Sequence, residues 1–124
     1  MNNKYKFVKF EGGYHPRGDT KIAINNSGLI RLSSGFCRIT KATNFTYAVL
    51  FYDATNQAVA FKFTEHLEKG AVKITKDKTA ATLATKSFFN ANGLNFKSHF
   101  GRYDWKKLTI SDIGEVYIIE LTKK

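Results

Sequence analysis

The sequence predicts a mainly β domain of the α+β class, a small barrel built from two pseudo-repeated halves. Short β-branched and aromatic runs alternate with Gly, Asn and Ser turns, and two segments have the hydroxyl cap of a short helix. The 124 residues are 43% apolar and 15% aromatic, with one Pro and one Cys, which indicates a packed core without disulfides. We therefore expect a single domain over residues 1–124, each half containing two strands, a short helix and a β-hairpin.

The first half begins with a tight turn between two strands. Residues 21–24 and 29–32 are apolar runs that flank Asn25-Asn26-Ser27-Gly28, where Asn and Gly tolerate a positive φ. Ser33-Ser34 offers a hydroxyl cap, and Phe36 and Ile39 lie three residues apart, which predicts a short helix.

A hairpin follows this helix. Residues 47–53 and 59–63 are β-branched and aromatic runs joined by a five-residue connection. Val59, Phe61 and Phe63 alternate with other residues, which predicts that they share one inward face.

The second half repeats this order. Val72 and Ile74 start a strand, residues 76–78 form a polar turn, and residues 81–84 resume the strand pattern. Thr85 is the expected cap of a helix that carries Phe88 and Phe89 and ends at Gly93. Residues 102–105 and 115–121 are expected to close this half as a hairpin with a longer loop.

Charge follows the same division. In the first half, residues 1–41 carry eight basic and two acidic residues, and residues 42–68 carry one basic and three acidic residues. In the second half, residues 69–107 carry nine basic and two acidic residues, and residues 108–124 carry two basic and three acidic residues. We therefore predict pseudo-repeats at approximately 21–63 and 72–121, preceded by an N-terminal strand and loop over 1–20.

The first half resembles a known family of transcription regulators and antitoxins. Residues 21–33, the short helix, and the runs 47–53 and 59–63 look like the AbrB/MazE/SpoVT swapped-hairpin module, with Gly28 and Asp53 where that pattern has its glycine and its acidic turn residue. Members of the family form one DNA-binding barrel from two identical chains. The resemblance implies a barrel in which this chain supplies both halves, and a DNA-binding function.

The charge balance indicates a polyanionic partner. Twenty Lys and Arg against ten Asp and Glu give a net charge of +10, which concentrates polyanions near the surface. Arg31 and Arg38 are the sharpest candidates because each lies beside apolar residues that can hold its guanidinium in place. The predicted nucleic-acid-binding residues are Lys21, Arg31, Arg38, Lys41, Lys73, Lys76, Lys78 and Lys86.

The predicted function is non-catalytic nucleic-acid binding, to duplex DNA rather than RNA, as a transcription regulator or antitoxin-like protein. One alternative is a small protein-interaction module, an adaptor or inhibitor of the kind that mobile elements encode. Another is a single-strand binder, because Tyr5, Phe7 and Phe10 interleave with Lys4, Lys6 and Lys9. The chain is expected to be a monomer with internal pseudo-symmetry or a homodimer.

Enzyme, metal and cofactor functions find little support in the motifs. The three His and Cys37 show no HxxxH, CxxC or HExxH spacing, and no phosphate-binding glycine motif is present. Cys37 has no partner for a disulfide, so a reduced, half-buried thiol is expected. No run has the 18 to 20 or so apolar residues of a membrane span, and no signal peptide is recognisable, so we expect a soluble cytoplasmic protein.

Overall fold

The computed structural model describes residues 20–122, and the predicted N-terminal strand with Lys4, Lys6 and Lys9 lies outside them. The strands are β1 (Ile22–Ile24), β2 (Leu29–Leu32), β3 (Tyr47–Asp53), β4 (Ala58–Thr64), β5 (Val72–Asp77), β6 (Ala80–Ala84), β7 (Gly101–Tyr103), β8 (Lys106–Ile110) and β9 (Gly114–Glu120). The helices are α1 (Ser34–Thr40), α2 (Lys86–Ala91) and α3 (Phe96–His99), and a 3₁₀ turn spans Ala42–Asn44.

These nine strands form one antiparallel sheet in the order β7-β1-β2-β6-β5-β3-β4-β9-β8. The sheet curls into a half-barrel with β7 and β8 at its two edges. The mainly β prediction is therefore confirmed, although the sheet is open at these edges, whereas a closed barrel would pair them.

The hairpins of the two halves alternate within this sheet. The second strand of the first hairpin, β2, pairs with the second strand of the third hairpin, β6. In the same way β4 pairs with β9, so each half completes the sheet of the other. This order is the one expected of interlocked pseudo-repeats; the superposition of residues 21–63 on 72–121 stays a prediction.

Each half also contacts the helix start of the other half. The carbonyl of Gly28, in the β1–β2 turn, accepts hydrogen bonds from the Thr85 hydroxyl at 2.8 Å and the Thr85 N–H at 3.3 Å, just before α2. In the β5–β6 turn, the Thr79 hydroxyl lies 2.7 Å from the Ser34 hydroxyl at the start of α1. The two turns thus hold the two helices against the ends of the sheet.

Local chemistry in the first half agrees with the sequence. The side chain of Asn25 accepts from the Leu29 N–H at 3.0 Å and stabilises the β1–β2 turn, in which Gly28 has a φ of +90°. The Ser33 hydroxyl accepts from the Phe36 N–H at 3.2 Å and caps α1 as predicted. The hairpin of β3 and β4 is also confirmed.

Two predictions for the second half need correction, the closing hairpin and the Thr85 cap. Residues 101–103 do not pair with β9 but with β1, whose outer edge is otherwise open; Tyr103 lies opposite Ile22 and is fully buried. The partner of β9 is instead β8, a strand whose residues are all exposed and which therefore has weak apolar patterning. Thr85 does not cap α2, because its hydroxyl donates to the buried Gly28 carbonyl.

An aromatic cluster fixes α1 against the inner face of the sheet. Phe36 is fully buried and meets the ring of Trp105 edge to face at a centroid distance of 4.9 Å, and the ring of Tyr117 at 5.5 Å. Trp105 Nε1 donates to the Thr20 carbonyl at 2.8 Å. Ile39, expected beside Phe36, is 54% exposed, so α1 buries only its first turn and turns its last turn outward.

Candidate functional site

A cleft opens where two neighbouring parts of the sheet diverge. Strand β3 pairs with β5 only through Tyr47 and Ala48, and one further hydrogen bond joins the Ile74 N–H to the Thr46 carbonyl at 2.9 Å. Before Thr46 the chain turns away through the 3₁₀ turn to α1, while β5 continues to Asp77. The space between these two segments has no strand to fill it.

Two pockets are lined by residues of these segments, and they share no lining residue. The outer pocket, about 360 Å³, is lined by Thr46, Lys73, Ile74, Thr75 and Lys76. The inner pocket, about 560 Å³, is lined by Ser34, Cys37, Arg38, Lys41, Thr43, Asn44, Lys78 and Thr79. We call the two pockets together the basic cleft.

Five of the eight predicted nucleic-acid-binding residues line the basic cleft. Lys73 and Lys76 project from β5, and Lys78 from the turn that follows it. Arg38 and Lys41 come from the outward-facing end of α1. Residues that are far apart in sequence are therefore gathered because the β5–β6 hairpin lies beside the first helix.

Two of these lysines have an unusual backbone conformation. Lys41, at the C-terminus of α1, has a φ of 63°, and Lys78 has a φ of 56°. Glycine and asparagine favour this left-handed region, whereas it costs other residues about 1 kcal/mol. Only three non-glycine residues between 20 and 122 have a positive φ, and two of them line the inner pocket.

The two walls of the inner pocket are joined at one end. Ser34 and Thr79 are the lining residues farthest from the outer pocket along their respective segments, and their hydroxyl oxygens are 2.7 Å apart. The bridge fixes the β5–β6 turn to α1. At the other end the same two segments are joined by the pairing of Tyr47 with Lys73 and by the hydrogen bond from the Ile74 N–H to the Thr46 carbonyl.

The charged residues that line the two pockets are basic, but the carboxylate of Glu65 lies beside the outer pocket, where it accepts from the Thr46 hydroxyl at 3.0 Å. Among the described residues that line the two pockets, none is acidic. Asp77 lies between two cleft lysines in sequence, and its carboxylate pairs with Arg31 at 3.7 Å. Lys41 and Lys78 form no salt bridge with any residue from 20 to 122, so their charges are available to an anionic ligand.

The thiol of Cys37 forms part of the inner-pocket lining. Cys37 is only 3% exposed, deeper than the predicted half-buried state, and its thiol donates to the Leu32 carbonyl at 3.7 Å. Burial raises the pKa of this thiol from 9.0 to about 11, although the nearby Arg31 guanidinium opposes the shift. The thiol is therefore neutral at pH 7 and adds no negative charge to the pocket.

The other three predicted residues lie outside the cleft. Lys21 precedes β1 and pairs with Asp104 at 3.3 Å. Arg31 projects from the outer face of β2 and pairs with Asp77. Lys86 begins α2, next to Gly28. Of the two sharpest candidates, only Arg38 belongs to the gathered set.

Sequence reasoning missed the neutral donors of the cleft. Ser34, Thr43, Asn44 and Thr79 line the inner pocket beside the cations. The sequence predicts a capping role for Ser34, and no local signal indicates that Ser34 or Asn44 lies near a lysine-rich strand some 35 to 45 residues later.

A second surface combines apolar and polar residues. Leu108 and Ile110 of β8, which are 45% and 36% exposed, line a hollow of about 430 Å³ together with Ala58, Ile118, Asp53, Asn56, Lys106 and Glu120. Lys106 at its rim pairs with Glu120 at 3.2 Å. This hollow is the feature that best fits the alternative of a protein partner.

Comparisons with known proteins identify no relative. No protein-family model matches the chain, and no curated protein or solved structure matches it either. Within residues 20–122, no three His, Cys, Asp or Glu side chains come together in a metal-binding arrangement, and no helix has the length and apolarity to cross a membrane. The basic cleft is therefore interpreted from its own geometry and charge.

Proposed function

We propose that this protein is a non-catalytic nucleic-acid-binding protein whose basic cleft contacts the phosphate backbone of duplex DNA. The observation that carries the proposal is that Arg38 and Lys41, at the end of α1, and Lys73, Lys76 and Lys78, on β5 and its turn, are the charged residues that line the two pockets. Scattered solubilising lysines would lack this grouping.

The dimensions of the cleft support contact with several phosphates. Lys73 and Lys78 are five residues apart on β5 and its turn, so at about 3.3 Å per residue they span roughly 16 Å. One DNA strand has a phosphate about every 3.4 Å along the helix axis. Lys73 and Lys76 are three residues apart and therefore leave opposite faces of β5, so each lysine contacts phosphate as a separate flexible point charge.

A regulator or antitoxin-like role is proposed from the resemblance to swapped-hairpin proteins. That resemblance rests on residues 21–63, where Gly28 and Asp53 occupy the turns of the two hairpins. The interleaved order of the four hairpins supports it, because such proteins build one sheet from two interlocked units.

The test is a salt titration of duplex binding, followed by fluorescence anisotropy on a labelled duplex of about 20 base pairs. With five phosphate contacts, the slope of log K against log salt is expected to be on the order of −4 to −5. The triple variant Lys73→Ala, Lys76→Ala, Lys78→Ala should bind more weakly at every salt concentration, with a slope smaller in magnitude by about 3.

The matched control removes the same charge elsewhere. Lys62→Ala, Lys69→Ala, Lys97→Ala alters three lysines outside the cleft, none of which forms a salt bridge with another described residue. Its slope should stay close to that of the unaltered protein. Equal weakening by both triple variants would show that binding follows net charge alone.

A protein that binds no duplex DNA at low salt would contradict the proposal. Preference for an unpaired strand would favour the single-strand alternative. Absence of all nucleic-acid binding would favour the protein-interaction alternative, for which exposed Leu108 and Ile110 are the supporting observation.

A further inference from the structure

The two edges of the sheet differ in how open they are to another strand. The edge at β7 has only three residues, Gly101–Tyr103, and very short edge strands are one way in which proteins avoid pairing with other chains. The edge at β8 has five residues, Lys106–Ile110, and all five are exposed. No strand between residues 20 and 122 pairs with the outer side of β8. Within this part of the chain, β8 is therefore the edge to which a further strand can be added.

The turn after β8 shows which of its backbone groups face outward. The Ile113 N–H donates to the Ile110 carbonyl at 3.0 Å, so the backbone of Ile110 faces the β9 side. Backbone groups alternate in direction along a paired strand, and the β8–β9 register runs without interruption along β8. Leu108 therefore also faces β9, whereas the N–H and C=O groups of Lys107 and Thr109 face outward.

The charges of the two β8 lysines are compensated within the hairpin. Lysine on an edge strand discourages pairing with another chain because its charge repels a second copy. Lys106, however, pairs with Glu120 at 3.2 Å, and Lys107 pairs with Glu115 at 3.4 Å. Both glutamates lie on β9. The lysines therefore leave this edge less repulsive than the sequence of β8 alone indicates.

The edge also carries two exposed apolar side chains. Leu108 is 45% exposed and Ile110 is 36% exposed, and with Lys106 they are alternate residues that share one face of β8. Exposed apolar side chains on an edge strand favour pairing with another strand, which covers them.

The sequence of β8 is self-complementary in one antiparallel register. With Leu108 opposite Leu108 of a second copy, Lys107 lies opposite Thr109 and Lys106 lies opposite Ile110. The outward N–H and C=O groups of Lys107 and Thr109 then donate and accept across the interface, and no lysine lies opposite a lysine. A register centred on Lys107 would place two lysines opposite each other, and one centred on Thr109 would extend into the turn after Ile110.

We propose that the protein forms a twofold homodimer in which the β8 strands of two copies pair antiparallel, centred on Leu108. The two sheets then continue into one another across the axis. This axis is separate from the pseudo-symmetry within each chain. A five-residue edge gives a small interface, so the dimer belongs to the weak class that dissociates on dilution. The inference concerns self-association and does not depend on nucleic-acid binding.

The first measurement is sedimentation velocity of the full chain without nucleic acid, from about 5 to 500 µM, over which a weak dimer should replace the monomer. Each copy carries a net charge of +10, so repulsion between copies opposes pairing and added salt screens it. Self-association should therefore strengthen as salt rises, whereas duplex binding weakens. The opposite salt dependences keep the two properties distinguishable.

The decisive variant is Thr109→Pro, with Thr109→Ala as its matched control. Proline removes an N–H that faces outward, which an edge strand tolerates, but it blocks pairing with a second copy. The proline variant should stay monomeric at about 500 µM while its melting temperature in dilute solution changes by less than about 5 °C. The alanine variant alters the same side chain, keeps the N–H and should still form the dimer.

Disulfide formation tests the register itself. In the proposed pairing the two Leu108 Cα atoms are about 4.5 Å apart, which lies within the range of a disulfide, so Leu108→Cys should form a covalent dimer under mild oxidation. The control is Ile110→Cys, on the same face: its counterpart in the second copy lies four residues away along the strand, about 13 Å, and should not crosslink. Cys37 is buried in both variants and does not compete.

A protein that remains monomeric throughout this range would overturn the inference and leave the proposed function intact. The edge would then be open to a strand of another protein, or to residues 1–19 if their removal produced the dimer. Self-association that weakens with salt, or that survives Thr109→Pro, would overturn it as well, because the copies would then meet through ion pairs or another surface. Equal crosslinking of the two cysteine variants would contradict the register centred on Leu108.

Discussion

At the scale of single residues, Gly28 has two separate reasons to be glycine. Its φ of +90° is unfavourable for any L side chain. A Cβ at this position would also lie 3.2 Å from the Cβ and 3.4 Å from the Cα of Lys86, because the turn packs closely against the start of α2. Gly70 has a similar φ of +83° but no atom within 4 Å of its would-be Cβ.

We expect Gly28→Ala to destabilise the protein by about 2 to 3 kcal/mol and Gly70→Ala by about 1 kcal/mol. The first variant combines backbone strain with displacement of α2, and the second has backbone strain alone. Urea unfolding followed by tryptophan fluorescence measures both. Similar losses in the two variants would show that the contact with Lys86 contributes nothing.

The sequence predicts residues of this kind well, because their roles depend on neighbours in the chain. Gly28 and Ser33 have the turn and cap functions that their residue types favour. Lys41 and Lys78 gave no such signal, since lysine has no preference for a positive φ. Their conformation follows from the paths of the segments they join.

At the scale of elements, α1 determines where two of the cleft cations lie. It has only seven residues, too few for a stable isolated helix, and it is held by the Ser33 cap and by the burial of Phe36. Its outward end carries Arg38 and Lys41. Any loosening of its first turn should therefore change the positions of Arg38 and Lys41 in the inner pocket.

Replacing the cap tests this dependence. Ser33→Ala should lower the free energy of unfolding by about 1 kcal/mol, because the N–H of Phe36 loses its acceptor in a buried setting. Ser87→Ala, on the exposed surface of α2, should change it by less than about 0.5 kcal/mol. Thermal unfolding of the two variants provides the measurement, and equal Tm values for both would contradict the capping role.

Element boundaries within hairpins could be predicted from the sequence, but the pairing of β7 could not. The turns that join β1 to β2 and β3 to β4 are short and have clear composition. By contrast, β7 pairs with β1 across about 80 residues, and three residues carry too little pattern to indicate a partner. The expected pairing with β9 failed because chain proximity is a weak guide between non-adjacent strands.

At the scale of the whole molecule, the two halves depend on each other. Strands β2 and β4 each have one neighbour in their own half and one in the other half. A fragment that contains one half would lose the partners of four strand edges and expose much of its apolar face, because β1, β2, β3 and β4 each pair with a strand of the second half. The interlocked arrangement therefore makes folding a property of the complete chain.

Cutting the chain in the exposed loop between β4 and β5, where Leu67 is 73% exposed, tests this dependence. Fragments 1–68 and 69–124 should each lack cooperative thermal unfolding alone, because their strand edges are unpaired. Mixed in equal amounts, they should recover the near-ultraviolet circular dichroism of the intact chain and elute together. Cooperative unfolding of either fragment alone would contradict the interlocked arrangement.

The cleft illustrates what composition can and cannot predict. Net charge and the basic blocks identified all five cleft cations as candidates. Charge alone could not distinguish the five cleft cations from Lys21, Arg31 and Lys86, because that distinction depends on β5 lying beside β3. That neighbour relation is fixed by the global order of the sheet.

The reciprocal contacts of the two turns have a consequence for recognition. Arg38, Lys41 and Lys78 line the pocket at the contact between Thr79 and Ser34. At the corresponding contact between Gly28 and Thr85, the neighbouring cation is Lys86. Two identical chains would have to present the same surface twice, and so would suit a palindromic site. A single chain with both halves is released from that constraint. It can present two different surfaces, one beside the Ser34–Thr79 contact and one beside Gly28 and Lys86.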